Sequence, residues 1–185
     1  MMLNLPQAYL IGLCCLLLVI AILVGRQLFR VRKDEMRLID LEKKGSNLEK
    51  DPAMMYEMAS VQLKKRLFPQ ATSTLKKALK QLDDEPDEAE ALIENALGFA
   101  LAAQNDFKSA VIHYKKAIKA KSEYSVALNN LGFAYQQLLQ ESEAYKNYQE
   151  VLKFDPNNKT ANSQIKRIER RKGIKNTQSL QKKGF

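Results

Sequence analysis

A spacing of 34 residues recurs through the middle of this 185-residue chain and limits what it can fold into more than any other feature. Leu97 and Leu131, Gly98 and Gly132, Ala110 and Ala144, and Tyr114 and Tyr148 are each 34 apart, as are Asn95 and Asn129, Phe99 and Phe133, and Ala100 and Ala134. A fixed period of this length belongs to stacked supersecondary units, none of which can bury its apolar face alone. Gly98 or Gly132 on one helix and Ala110 or Ala144 on the next would let two backbones approach closely, because no bulk stands between them. Tyr114 or Tyr148 then fills the space beside the contact.

The order Leu-Gly, a large residue three beyond the Gly, Ala-x3-aromatic and then Pro is that of the tetratricopeptide repeat, TPR. Leu131, Gly132, Tyr135, Ala144, Tyr148 and Pro156 fill every place but the leading Trp, and Leu97, Gly98, Leu101, Ala110 and Tyr114 fill most of it again, with Ser122 where Pro would stand. A divergent copy lies upstream: Met58, Ala59, Ala71, Leu75, Ala78 and Leu79 recur 39 residues later as Leu97, Gly98, Ala110, Tyr114, Ala117 and Ile118. The extra residues fall in the acidic stretch 83–90, which enters as a loop at little cost to a solenoid. The repeats are expected at 54–82, 91–122 and 125–156, within a domain 54–158. Residues 159–185 are expected to form a capping helix and basic tail, with Ala161, Ile165 and Ile168 as the apolar stripe and Gly173 ending the helix. The fold class is all-α: an N-terminal transmembrane helix, then a TPR solenoid of about three helical hairpins with a C-terminal capping helix.

Residues 1–25 carry no charged side chain, and 8–25, as a helix at about 1.5 Å per residue, would reach about 27 Å, close to the hydrocarbon thickness of a bilayer. A cleavable signal would want a basic residue before the apolar core and a small-x-small site after it, and neither is present. An uncleaved anchor is the reading adopted. Arg26, Arg30, Arg32 and Lys33 crowd its C-terminal flank, so the positive-inside bias places the rest of the chain on the cytoplasmic or stromal side. Residues 26–53 are read as a charged juxtamembrane linker helix ending near Gly45 and Ser46, with Phe29, Met36, Ile39 and Leu41 too irregular for a coiled coil. Cys14 and Cys15 lie inside the apolar run and serve as small apolar fillers, which leaves neither a disulfide framework nor a zinc site.

The net charge of +9 is unevenly spread: residues 26–53 carry +2, 54–90 −1, 91–158 zero and 159–185 +8. A near-neutral repeat domain argues against nucleic acid as partner. The basic end needs its own partner, and Lys166, Arg167, Arg170, Arg171, Lys172 and Lys175 are expected to contact anionic lipid headgroups or an acidic partner loop, a disordered solubilising tail being the alternative. His113 stands alone and is read as a solvated polar residue of an outer helix. With no phosphate-cradling loop and no Ser-His-Asp set, no catalytic residue, metal, cofactor or small-molecule substrate is expected. The paired carboxylates at 83–90 are read as a solvated charge run.

Stacked hairpins curve, and the first helix of each lines the concave face where peptides or partner helices dock. The candidate groove residues are Asn95, Phe99, Asn129, Asn130, Phe133, Gln136 and Gln137, with Phe99 and Phe133 expected to form an aromatic pair beside amides, as an anchor or as inter-repeat packing. TPR domains of the co-chaperone class, which clamp a C-terminal carboxylate with cations and amides, resemble this one in fold. Here the matching places hold Leu92, Asn95, Val126 and Asn130, so the cations are missing.

The neutral N-terminal span, the charged linker, Tyr56-Glu57-Met58-Ala59-Ser60-Val61, Glu94-Asn95-Ala96-Leu97-Gly98-Phe99-Ala100, Ala127-Leu128-Asn129-Asn130-Leu131-Gly132-Phe133-Ala134-Tyr135 and Asp155-Pro156-Asn157-Asn158-Lys159-Thr160-Ala161 together resemble the small thylakoid-anchored TPR family of cyanobacteria and algal plastids. Met58-Ala59 departs from the usual Leu-Gly. That resemblance implies a single-pass thylakoid protein, assisting assembly or stabilisation of photosystem I by binding its subunits or other assembly factors. An anchored TPR receptor for targeting signals or chaperones is the other reading. The anchor is tested directly: the full chain should stay with membranes through a carbonate wash, and removal of residues 1–25 should release it.

Overall fold

The computed structural model describes residues 5–43, 51–82 and 87–182. The chain divides after residue 45 into two units. Among the described residues all regular structure is helical: α1 (Leu5–Lys43), α2 (Pro52–Lys64), α3 (Phe68–Leu79), α4 (Asp87–Ala103), α5 (Phe107–Ala120), α6 (Ser125–Gln137), α7 (Glu141–Phe154) and α8 (Lys159–Lys182).

The first unit is α1, 39 residues long. Its stretch Tyr9–Arg37 contains an 18-residue window of mean hydropathy 2.5 and is long and apolar enough to cross a membrane. From Tyr9 to Val24 the large apolar side chains are exposed, including the consecutive Leu16, Leu17, Leu18 and Val19, which step about 100° apart round the helix. A helix apolar all round has no face suited to water. The charged stretch read as a linker helix from residue 26 is helical and continuous with the apolar span: α1 runs on through Arg26 and Arg30 to Lys43 without a break. The lone Gly25 costs a helix only about 1 kcal/mol, which does not stop it. Gly45 and Ser46, expected to end that helix, lie outside the described residues.

The second unit is the repeat domain. Helices α2–α3, α4–α5 and α6–α7 form three hairpins, each helix packs on the next along the chain through α8, and the inner helices α2, α4 and α6 also touch in succession. Local chemistry sets the ends. Asp51 caps α2, accepting from the backbone N–H of Ala53 at 2.8 Å and Met54 at 3.2 Å, and Pro52 occupies the first turn, where its missing N–H is no loss. Asp106 caps α5 through the N–H of Ser109 at 3.1 Å, and its hydrogen bonds to Ser109 hold its carboxyl below the usual range. Each hairpin turns at a left-handed residue, Arg66, Asn105 and Leu139, spaced 39 and 34 apart. The residue after each donates back into the finished helix: Leu67 to the Gln62 carbonyl, Asp106 to Leu101 and Gln140 to Tyr135, at 2.8–3.0 Å.

The acidic insertion is shorter as a loop than expected. Residues 87–90 form the first turn of α4, where carboxylates favour the positive end of the helix dipole, while 83–86 lie outside the described residues. At the other end α8 continues through Gly173 to Lys182. A glycine ends a helix when it turns left-handed, and Gly173 does not.

The core is a line of small residues facing rings. A Cβ added at Gly98 would lie 2.7 Å from Tyr114 Cδ1, and one at Gly132 would lie 2.8 Å from Tyr148 Cε1. Ala110 and Ala144 are fully buried beside them, and both rings are almost completely enclosed. Burial pushes the Tyr148 hydroxyl up to about 12 and the Tyr114 hydroxyl further. The first repeat makes the reciprocal choice, Ala59 and Leu75 at the places of glycine and tyrosine, and both are fully buried. The departure noted at Met58-Ala59 is thus matched by a smaller side chain opposite. Gly132→Ala should therefore destabilise the domain, overpacking at roughly 1–3 kcal/mol outweighing the gain of up to about 1 kcal/mol in helix propensity. Adding Tyr148→Leu should recover part of that loss in thermal melts of the detergent-solubilised chain.

Candidate partner-binding face

The inner helices repeat not only their buried residues but their exposed ones. On α4, Ala91, Ile93, Ala96, Leu97 and Ala100 are buried, while Leu92 and Phe99 stand out at 36% and 46% exposure. On α6 the equivalents Val126 and Phe133 are 53% and 47% exposed. Four large apolar side chains on the inner helices are therefore left to solvent at matching places in two successive repeats. Single exposed apolar residues are ordinary, but a repeated set is a surface.

Phe99 and Phe133 do not pair with each other. Phe99 meets Phe68 edge to face at 6.5 Å between centroids, and Phe133 meets Phe107 in the same way at 6.3 Å. Each ring leans on the first residue of an outer helix of the preceding repeat, in the edge-to-face arrangement that aromatic pairs favour. The remaining half of each ring faces outward.

Asn95 and Asn129, read from sequence as peptide-binding amides, make hydrogen bonds within the domain. Asn95 Nδ2 donates to Tyr124 Oη at 3.3 Å and Asn129 Nδ2 to Asn158 Oδ1 at 3.2 Å, equivalent bonds one repeat apart. Asn130 Nδ2 donates to Asn95 Oδ1 at 3.0 Å, joining α6 to α4. Gln136 donates to Gln164 Oε1 and accepts from Tyr148 Oη, each at 3.2 Å, which joins α6 to α8 and to the core ring of α7. Gln137 is exposed. The amide ladder fixes the spacing of the inner helices and so holds the apolar side chains in register. Asn129 Oδ1 is buried without a hydrogen-bond partner.

His113 is not solvated as expected. Its Nδ1 lies 2.5 Å from Glu94 Oε2, and Lys116 Nζ is 3.4 Å from the other oxygen of the same carboxylate. Glu94 is 2% exposed. Sequence reasoning missed this cluster, though a signal existed: Glu94 stands where the next repeat has Leu128, a carboxylate at a core position that needs a polar partner.

On α8 the apolar stripe expected from sequence is in place, with Ala161 and Ile168 fully buried. Lys166, Arg167 and Arg170 are exposed, whereas Arg171 is partly covered and faces Glu141 of α7 at 3.3 Å. These four and Ser163, all on α8, border an open hollow of about 400 Å³ on the surface of that helix. The side chains of Lys172 and Lys175 lie outside the described residues. An apolar hollow of about 150 Å³ opens between α2 and α4, bordered by Pro52, Tyr56, Leu82, Ala89, Leu92 and Ile93.

Comparison with known proteins agrees with this architecture. Family profiles described as tetratricopeptide repeat match residues 86–124 and 125–158. A protein of Guillardia theta named uncharacterized protein ycf37 is 31% identical over 163 residues, covering 87% of this chain and 90% of its own. The chloroplastic tetratricopeptide repeat domain-containing protein PYG7 of Arabidopsis thaliana is 30% identical over 86% of this chain, which spans 52% of that protein. Among solved structures, MamA superposes with a TM-score of 0.66 at 19% identity, over 75% of this chain and 78% of its own. The first TPR of Spaghetti (RPAP3), solved bound to an HSP90 peptide, gives 0.60 at 21% identity, over 66% and 96%. These two share the fold.

The buried carboxylate sets an order of stabilities. His113→Ala strands Glu94 with Lys116 alone and should cost toward the lower end of the roughly 3–5 kcal/mol seen when a buried charge loses a partner. Glu94→Gln leaves behind groups that can reach water and should cost less, about 1–3 kcal/mol. Thermal melts of the two variants check the ranking.

Proposed function

Because this chain belongs to the Ycf37 family of TPR proteins of cyanobacteria and plastids, we propose that it is a membrane-anchored scaffold assisting the assembly or stabilisation of photosystem I. The solenoid is a protein-interaction module, and its clients are membrane proteins, photosystem I subunits or other assembly factors. The reading is carried by the exposed set Leu92, Phe99, Val126 and Phe133, repeated across two inner helices and held in register by amide bonds. Rigid aromatic anchors lose little conformational entropy on binding, which is why such residues dominate interface energies.

The anchor supports the same reading by mass action. A solenoid confined to the plane of its clients meets them at high effective concentration, so weak contacts suffice and release stays fast. Residues 1–25 are the membrane-embedded part, the charged remainder of α1 is the linker, and the cations from Arg26 onward keep the solenoid on the cytoplasmic or stromal side of a thylakoid membrane. A receptor for chaperone tails is less well supported, since the carboxylate-clamp places hold Leu92 and Val126.

Affinity capture from detergent-solubilised thylakoid membranes is the test. Photosystem I core subunits or assembly partners should be recovered with the wild-type chain, and Phe99→Ala/Phe133→Ala should reduce recovery about tenfold or more, as expected when two anchors of about 1–2 kcal/mol each are lost. Recovery of soluble precursors or chaperones instead would establish the receptor reading.

A further inference from the structure

The chemistry of the inner face changes toward its C-terminal end. Following the 34-residue register from α6 to α8, Val126 is succeeded by Thr160, Asn129 by Ser163, Phe133 by Arg167 and Gln136 by Arg170. The apolar and amide surface of α4 and α6 thus gives way on the next inner helix to guanidinium groups. Lys166 takes the place of Gly98 and Gly132, with no tyrosine from a following outer helix against it among the described residues.

These cations are uncompensated. The carboxylates nearest in the fold are engaged elsewhere, Glu141 with Arg171 at 3.3 Å and Glu169 with the Tyr145 hydroxyl at 3.0 Å. Lys166, Arg167 and Arg170 are exposed and face no carboxylate among the described residues. Three like charges over about one turn of helix repel one another, and an anionic occupant of the open hollow beside them relieves that repulsion. Guanidinium groups present forked donors that match carboxylates in pairs.

Resting on the scaffold reading above, we propose that this end of the inner face receives an acidic segment of the client protein. Its carboxylates meet Arg167 and Arg170, with Lys166 at the rim, and its neighbouring apolar side chains cover Phe133 and Val126. The occupant is a protein segment rather than a lipid surface, because Arg167 continues the place of Phe133 on a helix bonded to α6 through Gln136 and Gln164, so the cations adjoin the apolar residues that would seat the same segment.

The test uses the full chain in detergent and a fluorescein-labelled peptide of Leu and Gly residues ending in a run of Glu, with binding followed by anisotropy. Binding should weaken as salt rises. Arg167→Glu/Arg170→Glu should weaken it roughly tenfold or more, while Arg167→Lys/Arg170→Lys should retain most of it, with melting temperatures unchanged as the control for folding. Equal binding of a Lys-ended peptide, or no effect of charge reversal, overturns the proposal. So does capture of phosphatidylglycerol vesicles through the same cations that the Glu-ended peptide fails to compete. If client capture is lost on Phe99→Ala/Phe133→Ala yet unaffected by charge reversal, the scaffold reading stands and this inference falls.

Discussion

The solenoid depends on one contact made repeatedly: a small residue on an inner helix against a large side chain on the outer helix of the same hairpin. Gly98 against Tyr114 and Gly132 against Tyr148 leave no room for even a methyl group. Each hairpin so closed still shows an apolar side, and only the next hairpin covers it, which makes the repeats cooperative neighbours rather than independent units. The first hairpin reaches the same closeness from the other direction, with Ala59 and Leu75 in place of glycine and tyrosine. What is constrained is the summed bulk across the contact, and either partner can supply it.

Polar groups then determine how hairpins stack. The bonds Asn95 to Tyr124, Asn129 to Asn158 and Asn130 to Asn95 run between repeats, not within them, and they hold the inner helices at fixed spacing. A face whose apolar side chains are exposed but whose backbone spacing is fixed is suited to recognition, since the ordering cost of binding has been met in folding. The amides thus act on a partner indirectly, by positioning Leu92, Phe99, Val126 and Phe133. The register that repeats those apolar residues brings Arg167 to the place of Phe133 on α8, with Arg170 at that of Gln136 beside it, so one geometric period sets both the apolar and the cationic part of the surface.

The fold was largely legible because its determinants are local and periodic. Spacings of 34 and 39 residues are enough to locate the small-against-ring contacts, and the uncharged run ahead of Arg26 identifies α1. The site was legible only in part. Phe99 and Phe133 are exposed as a groove reading requires, yet each pairs with a phenylalanine of the preceding repeat, Phe68 or Phe107, a contact between helices of different repeats that the 34-residue spacing does not specify. Gly173 does not end α8, since a glycine offers a left-handed turn without compelling it. His113 looked solitary in sequence because its partner Glu94 lies 19 residues away, at no multiple of the repeat.

By itself, then, the sequence determined the periodic contacts and the apolar span: these follow from side-chain volume and hydropathy at fixed intervals, which a chain carries whatever its environment. Only the tertiary structure decided which polar groups are consumed within the domain and which charges are left over. Asn95 and Asn129 are engaged within the domain, Arg171 is matched by Glu141, and Arg167 and Arg170 face no carboxylate among the described residues. The reason is geometric: hydrogen bonds and ion pairs form between atoms about 3 Å apart, and that proximity arises between helices from different repeats only after the repeats have packed.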